Sequence, residues 1–208
     1  MSTRHDDAIR HLRKRDKVLR RVIDAAGPCT LRPQKDRFWM LVCSILSQQL
    51  STKSADTIRG RVDAALSART PEALAALPPP TLRGCGVSPQ KLGYLRDLCE
   101  CVLEGRVDLR RISRKSDDEV IEALTQIKGI GRWTAQMFLM FSLGRPDVFP
   151  VGDLGIKVAI RDLYAFGEMP SDDEAHAIAA PWRPYATVAS WYCWRSLDLK
   201  KRDKAAQA

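Results

Sequence analysis

The sequence predicts an all-α protein, and three observations lead there. Apolar residues recur at spacings of three and four along most of the chain. No run of alternating apolar and polar residues is bounded by hairpin turns. Helix-start signals recur at intervals that suit short helices with compact connectors.

The elements follow in order. Ile9, Leu12, Val18, Leu19, Val22 and Ile23 define one basic amphipathic N-terminal helix. Phe38, Leu41, Val42, Ile45 and Leu46 define a second, strongly apolar and therefore buried helix. Thr70-Pro71 and Ser88-Pro89 each set a capping residue before a first-turn proline. Ser116 with Glu119, and Ser171 with Glu174, have capping-box spacing. Pro78-Pro79-Pro80 and Gly84–Gly86 are breaks. A central helix is expected over 133–143 and another over 154–165. The residues after Leu199 are polar and basic, which predicts a frayed tail over 200–208. About ten short helices result, with no 20–50-residue repeat.

A chain of 208 residues, 45% hydrophobic and 28% charged, can bury a sizeable core in one domain or two small lobes. Its net charge of +9 favours an anionic partner, nucleic acid first, and serves simple solubility equally well. Six cysteines form no C-x-x-C pair and match neither zinc nor iron–sulfur spacing. Cys43, Cys99 and Cys193 fall in apolar helical runs and read as reduced core residues, which suits a cytoplasmic or nuclear setting. The N-terminal residues are too charged for a signal peptide, and no apolar run is long enough to span a membrane.

The most informative segment is 124–160. Gly129-Ile130-Gly131 stands between two helical stretches. Two glycines permit a tight hairpin with positive backbone angles, and Ile130 can plug into the helix pair. Backbone amides opening the second helix then offer an anion site, to which Thr134 can add a hydroxyl. An ordinary helix-turn-helix connector has the same pattern. Farther on, Pro150-Val151-Gly152-Asp153 forms a short loop, and Asp153 opens the next helix. An aspartate there is ordinarily a cap.

Four ordered blocks carry a resemblance. GIGRWTA (129–135), followed after a gap by DVFPVGDLGI (147–156), resembles the helix-hairpin-helix–Gly/Pro/Asp signature of base-excision DNA glycosylases. ILSQQLSTKSADTI (45–58), LRGCGVSPQKLGYLRDL (82–98) and PWRPYATVASWYCWR (181–195) resemble further segments of the 3-methyladenine DNA glycosylase II family. The resemblance runs from about residue 38 to 196.

That resemblance implies a compact two-lobed helical unit over 1–199, with N- and C-terminal helices in one lobe and a middle helix-hairpin-helix region, about 50–150, in the other. It implies no β domain, because the residues before the matching region look helical. Asp153 falls on the family's essential aspartate, which stabilises positive charge on the sugar and orients the attacking water. Trp133 stands where the bifunctional relatives carry a nucleophilic lysine, so water is the expected nucleophile and no lyase step is expected. Trp133 becomes a wall of the base pocket, with Trp194, Trp182, Tyr185 and Trp191 as further candidates for stacking on a cationic alkylpurine. Gln49 or Leu50 is the implied wedge that fills the gap left by the flipped base. Gly129, Gly131, Arg132, Trp133 and Thr134 are the implied phosphate contacts. Backbone carbonyls of Thr125, Ile127 and Ile130 can hold a structural monovalent cation; no iron–sulfur cluster is expected. Lys53, Lys91, Arg132 and Lys157 are candidates to add charge to the DNA face, and Lys128 to contact phosphate.

The function so implied is monofunctional removal of alkylated purines, 3-methyladenine and 7-methylguanine, from double-stranded DNA by a monomer. Two alternatives stay open. One is a glycosylase for another lesion (hypoxanthine, ethenoadenine, uracil). The other is a non-catalytic DNA-binding module, which has no need of Asp153 in its loop.

Overall fold

The computed structural model describes residues 5–206, and every regular element among them is helical. In chain order these are α1 (Asp6–Arg15), α2 (Lys17–Ala26), α3 (Arg37–Ser47), α4 (Thr52–Ala65), α5 (Pro71–Ala76), α6 (Pro79–Gly84), α7 (Pro89–Leu103), α8 (Asp117–Thr125), α9 (Arg132–Phe138), α10 (Leu154–Leu163), α11 (Asp172–Ala179) and α12 (Ala186–Ala206). The start signals act as read. Thr70 and Ser88 accept first-turn amides, and Ser116 and Ser171 form complete capping boxes with Glu119 and Glu174. No described helix is long and apolar enough to cross a membrane.

The contacts divide the chain into two units. Gln34–Leu143 forms one; the residues up to Pro33 and from Gly144 onward form the other. In the first, α3 is central and packs on α4, α7 and α9. Its Leu41, Val42, Ile45 and Leu46 are all fully buried. Each such side chain contributes about 1.5–3 kcal/mol of transfer free energy. The central helix expected over 133–143 keeps α geometry only to Phe138. Leu139–Leu143 is a π turn, where the Phe141 carbonyl accepts from Gln34 N–H at 2.7 Å.

In the other unit α12 packs on α2 and α10. The single N-terminal helix read from the sequence is two helices. Asp16 breaks it, with φ −137° and ψ 108°, and its Oδ1 accepts from Val18 and Leu19 N–H to start α2. Asp16 is buried, and its Oδ2 accepts from Trp182 Nε1 (2.8 Å) and from the Tyr164 hydroxyl. Burial and the adjacent Asp16 carboxylate push the Tyr164 hydroxyl pKa well up. The bonding of one carboxylate to three elements outweighs helical periodicity. Helix α10 stops at Leu163, and Ala165 takes a positive φ of 57°. The expected tail is helical as far as Ala206; its last two residues lie outside the described ones.

Candidate active site

The hairpin between α8 and α9 is built from one strained position and one open one. Gly129 has φ +83°, and a Cβ there would stand 2.2 Å from Tyr94 Cδ2. Only glycine fits. Gly131 has φ −96°, so the positive angle expected of both glycines is confined to the first. A Cβ at Gly131 meets nothing within 4 Å. Ile130 is buried and its N–H bonds to Ile127 O at 3.0 Å, the plug that the sequence suggests.

Helix α7 supports this hairpin through Tyr94 and Asp97 and holds α3 through Lys91. Lys91 Nζ donates to Leu46 O at 2.7 Å, at the end of α3. Tyr94 fills the space beside Gly129. Asp97 Oδ2 accepts from Lys128 N–H at 2.8 Å. Burial raises the Asp97 carboxyl pKa. The Lys128 amide, the Lys128 ammonium and Arg106 together outweigh that and leave it below the usual value. Lys91 is held below its ordinary pKa by burial. Lys91 is thus spent on α3 rather than on a DNA face, and Lys157 pairs with Asp172 at 2.6 Å. Lys128 has its ammonium 3.4 Å from Asp97 and most of its side chain exposed.

Helix α9 also differs at its start. Helices α3, α4, α5, α7, α8, α10 and α11 each begin with a side-chain cap. Gly131 gives α9 none. Like α1 and α6, it starts without a cap from the side chain of its N-cap residue. Arg132 is exposed; Thr134 is buried, so its hydroxyl is not presented at the surface as the sequence reading expects.

The turn between α3 and α4 lies against the same hairpin. Gln48 Nε2 donates to Gly129 O at 2.7 Å. The next residue, Gln49, has φ +56°, a left-handed conformation uncommon for a side-chain-bearing residue. Leu50 is 39% exposed. Ser51 caps α4. A cavity of about 600 Å³ opens beside this turn, lined by Gln49, Trp133, Met137, Met40, Phe141 and Arg59 among others. Trp133 is 48% exposed. Cys43 also lines the cavity and is half-buried, not a core residue. Burial raises its pKa against the opposing pull of Arg59. Leu50 does not line the cavity.

Asp153 belongs to the other unit. Its loop is pinned by Thr187, which accepts from Val148 N–H (3.0 Å) and donates to Arg145 O (2.7 Å). Asp153 caps α10: its Oδ1 accepts from Ile156 N–H at 2.9 Å. The same oxygen accepts from Trp194 Nε1 at 3.0 Å. Leu154, the next residue, is 69% exposed.

The remaining aromatic candidates separate. Trp182 is fully buried, edge-on to Phe149 and bonded to Asp16, so it packs the core instead of facing a base. Tyr185 stands edge-on to His11 and lines a small hollow of about 180 Å³ with His5 and Thr187. Trp191 packs against Tyr192 and lies under Arg195. Sequence reading missed Tyr94 and Asp97, and the bond that ties Gln48 to the hairpin. The polar residues at positions 91, 94 and 97 of one amphipathic helix were the available signal.

Two of the three carbonyls proposed for a cation, those of Thr125 and Ile127, keep acceptor capacity. Thr125 ends α8, and among the described residues no backbone N–H bonds to its carbonyl. The end of a helix carries partial negative charge. Ile127 O accepts from Ile130 N–H and keeps a second lone pair. Among the described residues no group of three or more His, Cys, Asp or Glu is placed to hold a metal.

Known proteins resemble this chain in sequence and fold. A family model described as HhH-GPD superfamily base excision DNA repair protein matches residues 42–184. DNA-3-methyladenine glycosylase 1 of Schizosaccharomyces pombe is 33% identical over 91% of this chain and 86% of its own. The crystal structure of DNA-3-methyladenine glycosidase from Bacillus halodurans superposes with a TM-score of 0.83 at 40% identity, covering 92% of this chain and 90% of that one. The S. pombe 3-methyladenine DNA glycosylase, in complex with abasic DNA, gives 0.81 at 33%, covering 91% and 95%. With its hairpin, its Gly/Pro/Asp loop and these relatives, the chain belongs to the HhH-GPD superfamily of base excision DNA repair proteins.

Proposed function

We propose that this protein is a monofunctional DNA glycosylase that hydrolyses the N-glycosidic bond of alkylated purines, with Asp153 as the catalytic carboxylate. The observation that carries the reading is Asp153 itself, which opens α10 within the Gly/Pro/Asp loop of the matched signature. The relatives' names and the abasic DNA held by one of them support the substrate class.

The hairpin at Gly131 receives a DNA phosphate, with Arg132 beside it. Thr125, Ile127 and Ile130 would hold a monovalent cation, which supplies positive charge towards the same phosphate. Gln49, already in an extruded left-handed backbone, fills the gap left by the flipped nucleotide. Trp133 and its cavity take the base, and a cationic alkylpurine is attracted to the indole face. As the base departs with the electrons of the glycosidic bond, Asp153 stabilises the positive sugar. Water adds its hydroxyl to the anomeric carbon and gives up a proton. No lysine stands at position 133 to form a Schiff base. The protein acts as a monomer on double-stranded DNA, in the cytoplasm or nucleus where that DNA lies.

A second reading is favoured by Arg59. A guanidinium lining the cavity, although paired with Asp56, disfavours a cationic base and suits a neutral lesion such as hypoxanthine or ethenoadenine. The test is release of free base from DNA carrying 7-methylguanine, 3-methyladenine, hypoxanthine or ethenoadenine, with strand breaks scored before and after alkali. Release of alkylpurines with breaks only after alkali is expected. Release of neutral lesions alone moves the specificity to the second reading. DNA binding without release of any base leaves a binding module.

A further inference from the structure

We propose that Trp194 is a positioning residue for Asp153, and that Gly155 is the opening through which its indole reaches the carboxylate. The inference rests on the reading of Asp153 as the catalytic group.

Two donors converge on one oxygen. Ile156 N–H reaches Asp153 Oδ1 from within α10, and Trp194 Nε1 reaches it from α12, which packs on α10. The first bond is an ordinary cap, which serine, threonine or asparagine makes as well. It holds that oxygen from one side only, through the local turn of α10. The second bond approaches from another helix and holds it from a second side. A carboxylate that must face a sugar within a few tenths of an ångström needs both.

Gly155 is the independent observation. It sits in the first turn of α10 without a positive φ, so its backbone does not demand glycine. Glycine inside a helix costs about 1 kcal/mol relative to alanine. What it provides is proximity. A Cβ at position 155 would stand 3.0 Å from Asp153 Oδ1 and 3.1 and 3.2 Å from Trp194 Cδ1 and Nε1. A side chain there requires the carboxylate and the indole to give by a few tenths of an ångström. Sequence position and side-chain geometry therefore agree on one pair of atoms.

This assignment separates Trp194 from a wall of the base pocket, because the two roles read out differently. A wall touches the base, so its loss changes the preference among lesions. A residue that orients Asp153 acts on the sugar, which every lesion shares.

The test uses single-turnover base release at saturating enzyme, on each lesion the parent protein excises. Trp194→Phe keeps the ring and removes the donor; Gly155→Ala keeps the indole and displaces it. Each is expected to slow release about 10–100-fold, the loss of one hydrogen bond to a charged group. The factor should be the same for every lesion, with affinity for abasic-site DNA unchanged. The double variant should fall no more than about threefold below the slower single one, since both changes break the same contact. A Trp194→Phe rate within about threefold of the parent overturns the proposal. So does a loss that differs tenfold or more between lesions. Asp153→Asn separates the two levels. If it excises normally, the reading of Asp153 fails; if it is inactive while Trp194→Phe is not, only the positioning role fails.

Discussion

Gln48 Nε2 donates to the carbonyl of Gly129 at 2.7 Å, across 81 residues of sequence. The bond joins the turn that carries Gln49 to the hairpin that precedes the start of α9. Both ends are fixed from α7: Lys91 holds the end of α3, and Tyr94 and Asp97 hold the hairpin. The proposed wedge and the proposed phosphate site thus stand on one support.

Replacing Gln48 with methionine keeps the length of the side chain and removes the donor. The variant should stay folded and lose base flipping by about 2–10-fold, the worth of one neutral hydrogen bond. Fluorescence of 2-aminopurine placed beside the lesion measures it; an unchanged signal would show the turn to be independent of the hairpin.

The two hairpin glycines should part company. Gly129→Ala forces a left-handed alanine into Tyr94 and should destabilise the fold by about 2–4 kcal/mol, read from urea denaturation. Gly131→Ala meets no atom within 4 Å and should cost under about 1 kcal/mol. Its methyl group instead occupies the approach to the α9 amides, so DNA affinity should fall while folding holds.

Asp97 gives the hairpin a pH dependence of defined sign. Its folded pKa is lowered, so its contribution is fully present above the unfolded carboxyl value and is lost as pH falls through the folded one. Asp97→Asn should therefore lie below the parent in melting temperature near neutrality and converge on it under acid. Melting curves across the acid range check this; parallel curves would contradict it.

Asp16→Ala removes the acceptor of a buried indole and a buried hydroxyl together. It should destabilise by about 2–5 kcal/mol and weaken the start of α2. Circular dichroism on thermal unfolding measures the loss.

The helices were legible wherever their cause is local. Ser116, Ser171, Thr70 and Ser88 announce starts through caps that lie within four residues of each other. The break at Asp16 was not legible, because its partners Tyr164 and Trp182 are about 150 residues away. For the same reason Trp182 read as a pocket aromatic: composition gives its ring and not its burial. Asp153 and Trp133 are proposed through the motif, whose spacing is local. Gln48, Asp97 and Gly155 act through contacts between helices, and a single sequence carries no sign of which faces meet. Gly155 came nearest to being readable, as a glycine in a helix's first turn with no turn to make.

The most direct test of the account is single-turnover release of 7-methylguanine by Asp153→Asn beside the parent protein. Asparagine keeps the cap and removes the charge. Release should slow by at least about 100–1,000-fold, with DNA affinity and melting temperature close to the parent's. Release within about threefold of the parent would contradict the assignment of Asp153 and with it the mechanism.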